Sequence, residues 1–397
     1  MAARRHRRDA PYLSGRRRSP SLWPRRLLLL GSTALGLALL IVVIPIGWVE
    51  TQCRPGARDA SVTTIAPAPV SQAPFRPVID TPPHRRELAR SYLSYPQWQV
   101  VHAYQDLASV LASQDEAVFD YAGQLSQYWT SLCGLTRFAA ALGATPAQWR
   151  ATLYPIGAGF SIEMIAKGGY ETTIGRLTAW LRGDGKTAED LFALELARDH
   201  ATFLQQRRWH DYPFFGMLGR FWAQTPLSGS GGWHWLRKIE RRFALSVELA
   251  AKGVLATGTG WLSNTAPEDL RIRSVVRGLP PKAGGLDKQI SMLRTLPDGR
   301  VVIETPRYRA FTGIVRGLLE GGHELTEIAG NERVLITVLV PEGKFADSPV
   351  AVQLFAMPVQ SRPGWRRVGL DASIPALGLT IANILGAGGV FEHLYDY

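Results

Sequence analysis

Leu27 to Val49, "LLLLGSTALGLALLIVVIPIGWV", runs for 23 residues without a charge. At about 1.5 Å per residue a helix of this run measures about 34 Å, enough to cross a hydrocarbon layer about 30 Å thick. Nothing else in the chain constrains its fold so strongly, because whatever follows must sit on one side of that helix. Arg16, Arg17, Arg18, Arg25 and Arg26 precede the run, and Trp23 and Trp48 bracket it. Basic flanks stay in the cytoplasm and Trp favours the interface, so the N-terminus is expected inside and the chain beyond Glu50 outside. A cleaved signal peptide would have a shorter apolar run, about 7–15 residues, ending in small residues. This run ends "IGWVETQC", and Cys53 is not preceded by a lipoprotein-type triplet. The expectation is a single-pass inner-membrane protein of bacterial type, with the bulk of the chain periplasmic.

Charge placement bears on partners. Residues 1–26 carry nine arginines and one aspartate, which is +8 of the total +12. The folded remainder is nearly balanced, and a nucleic-acid-binding domain needs its positive charge on the folded part. Nucleic acid is therefore not an expected partner. Cys53 and Cys133 would both face an oxidising compartment, where they could form a disulfide, or Cys133 could be a buried thiol. Two cysteines at this spacing make no metal site.

Composition divides the rest. Seven prolines lie between Pro55 and Pro83, a density that favours extended chain and reads as a stalk. Helical periodicity follows. Tyr121, Leu125, Tyr128, Leu132, Leu135, Ala139 and Leu142 form one apolar stripe, suited to a core or a dimer seam. Helix starts are signalled at Thr145, with Pro146 next, and at Thr187, where "TAED" has the form of a capping box. Pro155, Gly157 and Gly159 are expected to kink or break the helix between them. Beyond Arg271 the texture becomes β-like. Asp298-Gly299 and Gly330-Asn331 each signal a hairpin, with helical stretches over 307–322 and 373–389. The predicted fold is α+β: a basic tail over 1–26, a transmembrane helix over 27–49 and a Pro-rich linker over 50–87. A mostly helical domain follows over 88–265, then a small domain of antiparallel sheet plus helices over 266–397, for which a ferredoxin-like arrangement is one candidate. No internal repeat is visible.

Motifs for nucleotide loops, nucleophile elbows and metal clusters are absent, and no cofactor is implied. Isolated polar groups remain. Asp199 and His200 lie on one predicted helix with Glu195, where a solvated acidic face is the plain alternative. Glu163 sits in the apolar stretch "AGFSIEMIAKGGYE", where Lys167 offers an i,i+4 partner. His102 reads as a satisfied core histidine, and His210 adjoins Asp211. Glu163, Asp199, His200 and His210 are the catalytic candidates of an envelope hydrolase or transferase acting on lipid or glycan.

Residues 207–238 concentrate aromatic rings and arginines. Trp209, Phe214, Phe215, Trp222, Trp233 and Trp235 interleave with basic groups, and a helix over 236–255 carries Arg237, Lys238, Arg241 and Arg242 away from its apolar stripe of Leu236, Ile239, Phe243, Val247, Ala250 and Val254. Such composition suits a segment lying in a membrane interface, although ordinary packing between helices would use the same rings. These ten residues, from Trp209 to Arg242, are the candidate contacts to lipid or another membrane or envelope protein. The leading expectation is a non-enzymatic envelope scaffold or assembly partner, with self-association open.

Overall fold

A computed structural model describes residues 23–53, 75–144, 147–227, 233–262, 270–279, 288–343 and 351–397. Its secondary structure is α+β: a helical part precedes a β-rich part. The first helix, α1 (Trp23–Gln52), contains the predicted anchor, of which residues 27–31, 34, 35 and 38 lie outside the described side chains. Among the described residues no helix is long and apolar enough to cross a membrane.

The end of α1 is tied to the body. Cys53 and Cys133 form a disulfide, Arg137 bonds the Gln52 carbonyl, and Glu50 receives Arg150 at 2.8 Å and the Tyr154 hydroxyl at 2.6 Å. Residues 54–74 of the expected stalk lie outside the described set. Where the chain resumes it is already docked, with the amides of Val78 and Ile79 donating to the Glu327 carboxylate at 2.7 Å each.

The helical part is built around α3 (Tyr95–Ser113), which follows the short α2 (Leu88–Leu93) and is buried along most of its length. Around it lie α4 (Tyr121–Ala141), α5 (Ala147–Tyr170), α6 (Arg176–Arg182), α7 (Ala188–Leu204), α8 (Phe214–Gln224) and α9 (Trp233–Leu262). The α4 stripe is core: Tyr128, Leu132, Leu135 and Ala139 are buried, and Tyr128 and Leu132 pack with Leu107 and Met164. Each such side chain contributes about 1.5–3 kcal/mol of burial. The start signalled at Thr145 lies outside the described residues. The one at Thr187 forms a full capping box with Asp190. Pro155 neither breaks nor ends α5. Gly157 gives that helix a close approach to α4, since a Cβ there would stand 2.5 Å from the Tyr128 ring.

The β-rich part holds a repeat that the sequence conceals. Strands β1 (Arg271–Arg277), β2 (Ser291–Thr295) and β3 (Val301–Pro306), helix α10 (Tyr308–Glu320) and β4 (Glu324–Ile328) make a sheet of order β2-β3-β1-β4. Strands β5 (Arg333–Pro341), β6 (Ala351–Pro358) and β7 (Trp365–Ser373), helix α11 (Leu377–Gly386) and β8 (Val390–Leu394) make a second, of order β6-β7-β5-β8. Register confirms the equivalence. Ser274 pairs with Ile303 and Ile328 as Ile336 pairs with Leu370 and Leu394. On that alignment the irregularity at Val275/Val276 recurs at Thr337/Val338, and the one at Met292/Arg294 recurs at Gln353/Phe355. The ion pair of Arg271 with Glu304 recurs as Arg333 with Asp371. Left-handed Gly322 and Gly388 follow the two helices at equivalent places.

Two expectations are thereby corrected. The order is not ferredoxin-like, which would need a helix after the first strand of each half. Gly330-Asn331 closes no hairpin, because β4 pairs with β1 while β5 pairs with β7 and β8. Ala329 and Gly330, both left-handed, turn the chain from one sheet into the other.

Both sheets and both helices share one core, in which Val276, Ile303, Phe311, Ile336, Leu370 and Ile381 are buried together. Tyr92, Tyr95 and Trp98 then pack against Leu335, Met357 and Tyr395, joining the helical part to the second sheet. Ser91 completes the joint, donating to the Tyr395 carbonyl at 2.7 Å and accepting from the Leu335 amide at 2.9 Å.

Replacing Cys53 and Cys133 by Ser should lower unfolding stability by about 2–4 kcal/mol. Thermal melts of the full chain in detergent would show it as a lower midpoint, and an unchanged midpoint would mean that the α1 end is held without the disulfide.

Candidate functional site

Helix α9 is turned opposite to a helix that packs in water. Its charged residues, Arg237, Lys238, Glu240, Arg241, Arg242, Glu248 and Lys252, all face the protein, with Arg237 2% exposed and Arg241 1% exposed. The apolar stripe read from the sequence faces outward: Ile239, Phe243, Val247 and Val254 are exposed, Phe243 by 63% and Val254 by 65%. Trp233, Trp235 and Leu255 are exposed on the same helix. A half-turn about its axis would bury the apolar stripe and hydrate the charges, the usual arrangement for a surface helix.

What holds the inverted setting is a continuous seam of ion pairs. Glu163 of α5 meets Lys252 at 2.7 Å, Lys252 meets Glu248 at 2.7 Å, and Glu248 meets Lys167 of α5 at 3.0 Å. Lys167 reaches Glu116 at 2.7 Å, in the short turn after α3, and Glu116 meets Arg241 at 3.0 Å. Arg241 also binds Glu171, in the π-helical turn Glu171–Gly175 between α5 and α6, and Glu240 at 3.2 Å. Glu240 meets Arg237 at 2.9 Å, Arg237 meets Asp190 of α7 at 2.8 Å, Asp190 meets Arg182 of α6 at 2.8 Å, and Arg182 ends on Asp115 at 3.1 Å. Eleven side chains thus alternate in sign along the bundle interior, and Glu171 branches from Arg241 as a twelfth. Each buried ion forfeits several kcal/mol of hydration, so the seam holds only while every member is paired.

The effect on titration follows the pairing. Burial would raise the Asp190 carboxyl, but Arg237, the Thr187 amide and Arg182 override it and hold the group at about 2. Burial also opposes ionisation of Glu116, and Lys167 with Arg241 outweighs it and keeps that carboxyl low.

The outward face continues on α5. From Ala151 to Ile174 the exposed residues are Ala, Thr, Pro, Gly and Ile, without a charge, while Glu163, Lys167 and Glu171 turn inward. Arg150 and Arg176 flank this band. Along α6, Ile174, Leu177 and Trp180 extend it, Trp180 with 76% of its surface exposed. By contrast α7 shows Glu195, Arg198 and Asp199 outward beside an open groove. The bundle therefore has an apolar side and a charged side.

The sequence candidates fall as follows. Trp233, Trp235, Phe215 and Trp222 are exposed, Phe215 over Gly253 and Trp222 over the Arg242 guanidinium at 4.4 Å. Phe214 is buried and Trp209 half-buried against it. Arg237, Lys238, Arg241 and Arg242, expected at a lipid or partner contact, are buried instead: the first and third in the seam, Arg242 on the Thr225 carbonyl, Lys238 on the Pro226 carbonyl.

Of the catalytic candidates, Glu163, His200 and Asp199 are linked through Tyr104 and Tyr212 without a described hydrogen bond to one another, and His210 stands apart. Glu163 accepts the Tyr104 hydroxyl and binds Lys252, not Lys167 as the i,i+4 spacing suggested. His200 is buried between the rings of Tyr104 and Tyr212, and burial, aided by Lys252, pushes its pKa well down. Asp199 accepts the Tyr212 hydroxyl, and His210 lies 3.8 Å from Asp211, beyond hydrogen-bond reach. The cavity that His200 and Tyr104 line is about 30 Å³, room for water rather than a substrate. His102 is a buried core histidine, bonded to Gln105 and Tyr395.

Sequence reading missed Glu116, Glu171, Asp190, Glu240 and Glu248, whose only early sign was that the helical region holds acids enough to match its bases. Among the described residues no group of three His, Cys, Asp or Glu side chains is placed to hold a metal ion. No known protein family, curated protein or solved structure matches this chain.

Replacing Arg241 by Met removes the cation shared by Glu116, Glu171 and Glu240 and should destabilise the protein by about 3–5 kcal/mol, whereas Phe243→Gln should stay within about 0.5 kcal/mol. Denaturation of both variants in one detergent decides, and equal effects would refute the seam as the source of α9's orientation. Asp190, depressed from an ordinary 3.8 to about 2, adds stability present above pH 3.8 and lost as pH falls through 2. Acid unfolding of Asp190→Asn should accordingly be flatter between pH 4 and 2 than that of the parent, and parallel curves would count against the pairing.

Proposed function

We propose that this chain is a membrane-anchored envelope protein of the scaffold or assembly class, fastened by α1 and resting the apolar side of its helical body on the bilayer. The observation that carries the reading is the inversion of α9. Seven charged side chains are turned into the protein while Ile239, Phe243, Val247 and Val254 are turned out. In water that orientation forgoes the burial of several large side chains, at about 25 cal/mol per Å². Against lipid it is favoured, because intramembrane or interfacial charge is tolerated only when paired inside. Exposed apolar surface on this scale marks an interaction face.

Three further features support it. The uncharged run over 27–49 follows a tail of nine arginines, the flank expected on the cytoplasmic side. The Cys53–Cys133 disulfide, immediately beyond α1, suits an oxidising compartment across the membrane. Arg150 and Arg176 stand at the two ends of the α5 band, where they can meet anionic headgroups, and Trp149 and Trp180 accompany them in the manner of interfacial aromatics. The face fits lipid by its lack of any outward charge over two helices.

The test is photocrosslinking in proteoliposomes of the full chain, using a phosphatidylcholine with a photoreactive acyl chain. Adducts are expected in 151–180 and 233–259 as well as in the anchor. Adducts confined to the anchor would sink the bilayer contact. A stoichiometric second chain crosslinked to 151–180 in native membranes would give the face to a membrane protein instead.

A further inference from the structure

Arg241 is the most heavily shared cation of the seam. Three carboxylates converge on its guanidinium: Glu116 at 3.0 Å, Glu240 at 3.2 Å, and both oxygens of Glu171. Two of the three have other support. Lys167 lies 2.7 Å from Glu116. Arg237 lies 2.9 Å from Glu240, which also accepts the hydroxyls of Tyr170 at 2.8 Å and Thr178 at 2.9 Å. Every described hydrogen bond of Glu171 comes from Arg241. Counted along its length, the seam sets seven carboxylates, Asp115, Glu116, Glu163, Glu171, Asp190, Glu240 and Glu248, against five cations, Lys167, Arg182, Arg237, Arg241 and Lys252. Asp115 and Glu163 at its ends reach solvent, with side chains 33% and 21% exposed, while Glu171 is 3% exposed and cannot.

Its backbone is unusual too. Glu171 opens the five-residue π-helical turn Glu171–Gly175 that joins α5 to α6. Such turns interrupt regular helix bonding and often mark functional positions. The turn needs its glycine, since a Cβ on Gly175 would stand 2.3 Å from Glu171 Oε2. The carboxyl lies beside Glu116 from the turn after α3, Tyr121 from α4, Lys167 from α5 and Arg241 from α9, whose guanidinium also holds Glu240.

We propose that Glu171 is a reversible proton-binding site, whose charge state decides how firmly the α5–α6 joint and its outward stripe of Ile174, Leu177 and Trp180 are held against α9. Burial, then the charge of Glu116, lift its carboxyl to about 7 in spite of Arg241. The direction of coupling follows. In the packed joint the acid prefers its proton; in an opened, hydrated joint it reverts towards an ordinary 4.5. Protonation therefore favours the packed joint, and ionisation favours opening. As pH rises from 4.5, opening grows by up to about tenfold per unit and levels off above 7. The switch stands on the interior geometry and does not require that the outer face meet lipid.

Hydrogen exchange of the full chain in nanodiscs tests it. After correction for intrinsic chemistry, amides of 171–182 should open more readily from pH 5 to 7, while those of α3 do not change. In Glu171→Gln, which cannot ionise, the same amides should be independent of pH over that range. A flat response in the parent overturns the proposal, and so does an undiminished slope in the variant. Should Glu171→Gln fail to fold, difference infrared spectra of the parent decide. A protonated-carboxyl band present at pH 6 and gone at pH 8 supports the site, and its absence at pH 6 refutes it.

Discussion

The guanidinium of Arg241 holds the helical part in its present arrangement. It draws the turn after α3, the π-turn and α9 to one point, and through Lys167 and Arg237 the seam extends to α5, α6 and α7. Apolar packing shares the task at one flank, where Leu245, Leu249 and Ala256 of α9 are buried with Phe192 of α7 and Phe221 of α8. Because a buried charge without its partner is far costlier than a lost methyl group, the seam specifies one orientation for α9. The apolar stripe goes outward as a consequence, since the side of the helix that faces the protein is already occupied.

A bundle with paired charge inside and uncharged residues outside must offset the loss of apolar burial from elsewhere. On the proposed reading a lipid surface supplies that. The charged side of the body, with Glu195, Arg198 and Asp199 on α7, then faces water, so a single molecule has both the surfaces that such a location needs. The α1 helix leaves the body near the start of α5 and is tied there by the disulfide and by Glu50.

The β-rich part does different work. Two units of the same topology share a core, and their outer faces are covered by different segments of the chain. Glu327 of the first unit grips the backbone at Val78 and Ile79; at the equivalent place in the second unit, His393 lies under Trp98 of α3. The repeat is carried by register, bulges and an Arg–carboxylate pair, and scarcely at all by identical residues. A sheet tolerates any apolar side chain of suitable size on its inner face, so the topology survives where the letters do not.

Much was legible from residue order. The order of helical region before β region, the Thr187 cap, the Asp298-Gly299 hairpin and the apolar periodicity of α4 and α9 all follow from local chemistry: capping side chains, turn glycines and spacing along one chain. Three things were not. Periodicity shows that α9 has two faces but not which of them is inside, because that depends on acids from α5, α7 and two turns, up to 125 positions away between Glu116 and Arg241. Gly330-Asn331 has hairpin chemistry, yet strand partners are chosen by the whole sheet. Glu163 and Lys167, spaced to pair with each other, part instead: Glu163 meets Lys252 of α9, and Lys167 meets Glu116 and Glu248. The sequence by itself determined the helices, their caps and where charge lies along the chain. The tertiary structure decided which charges meet, and since a buried ion is stable only beside its counter-ion, that meeting also decided which face of the protein looks outward.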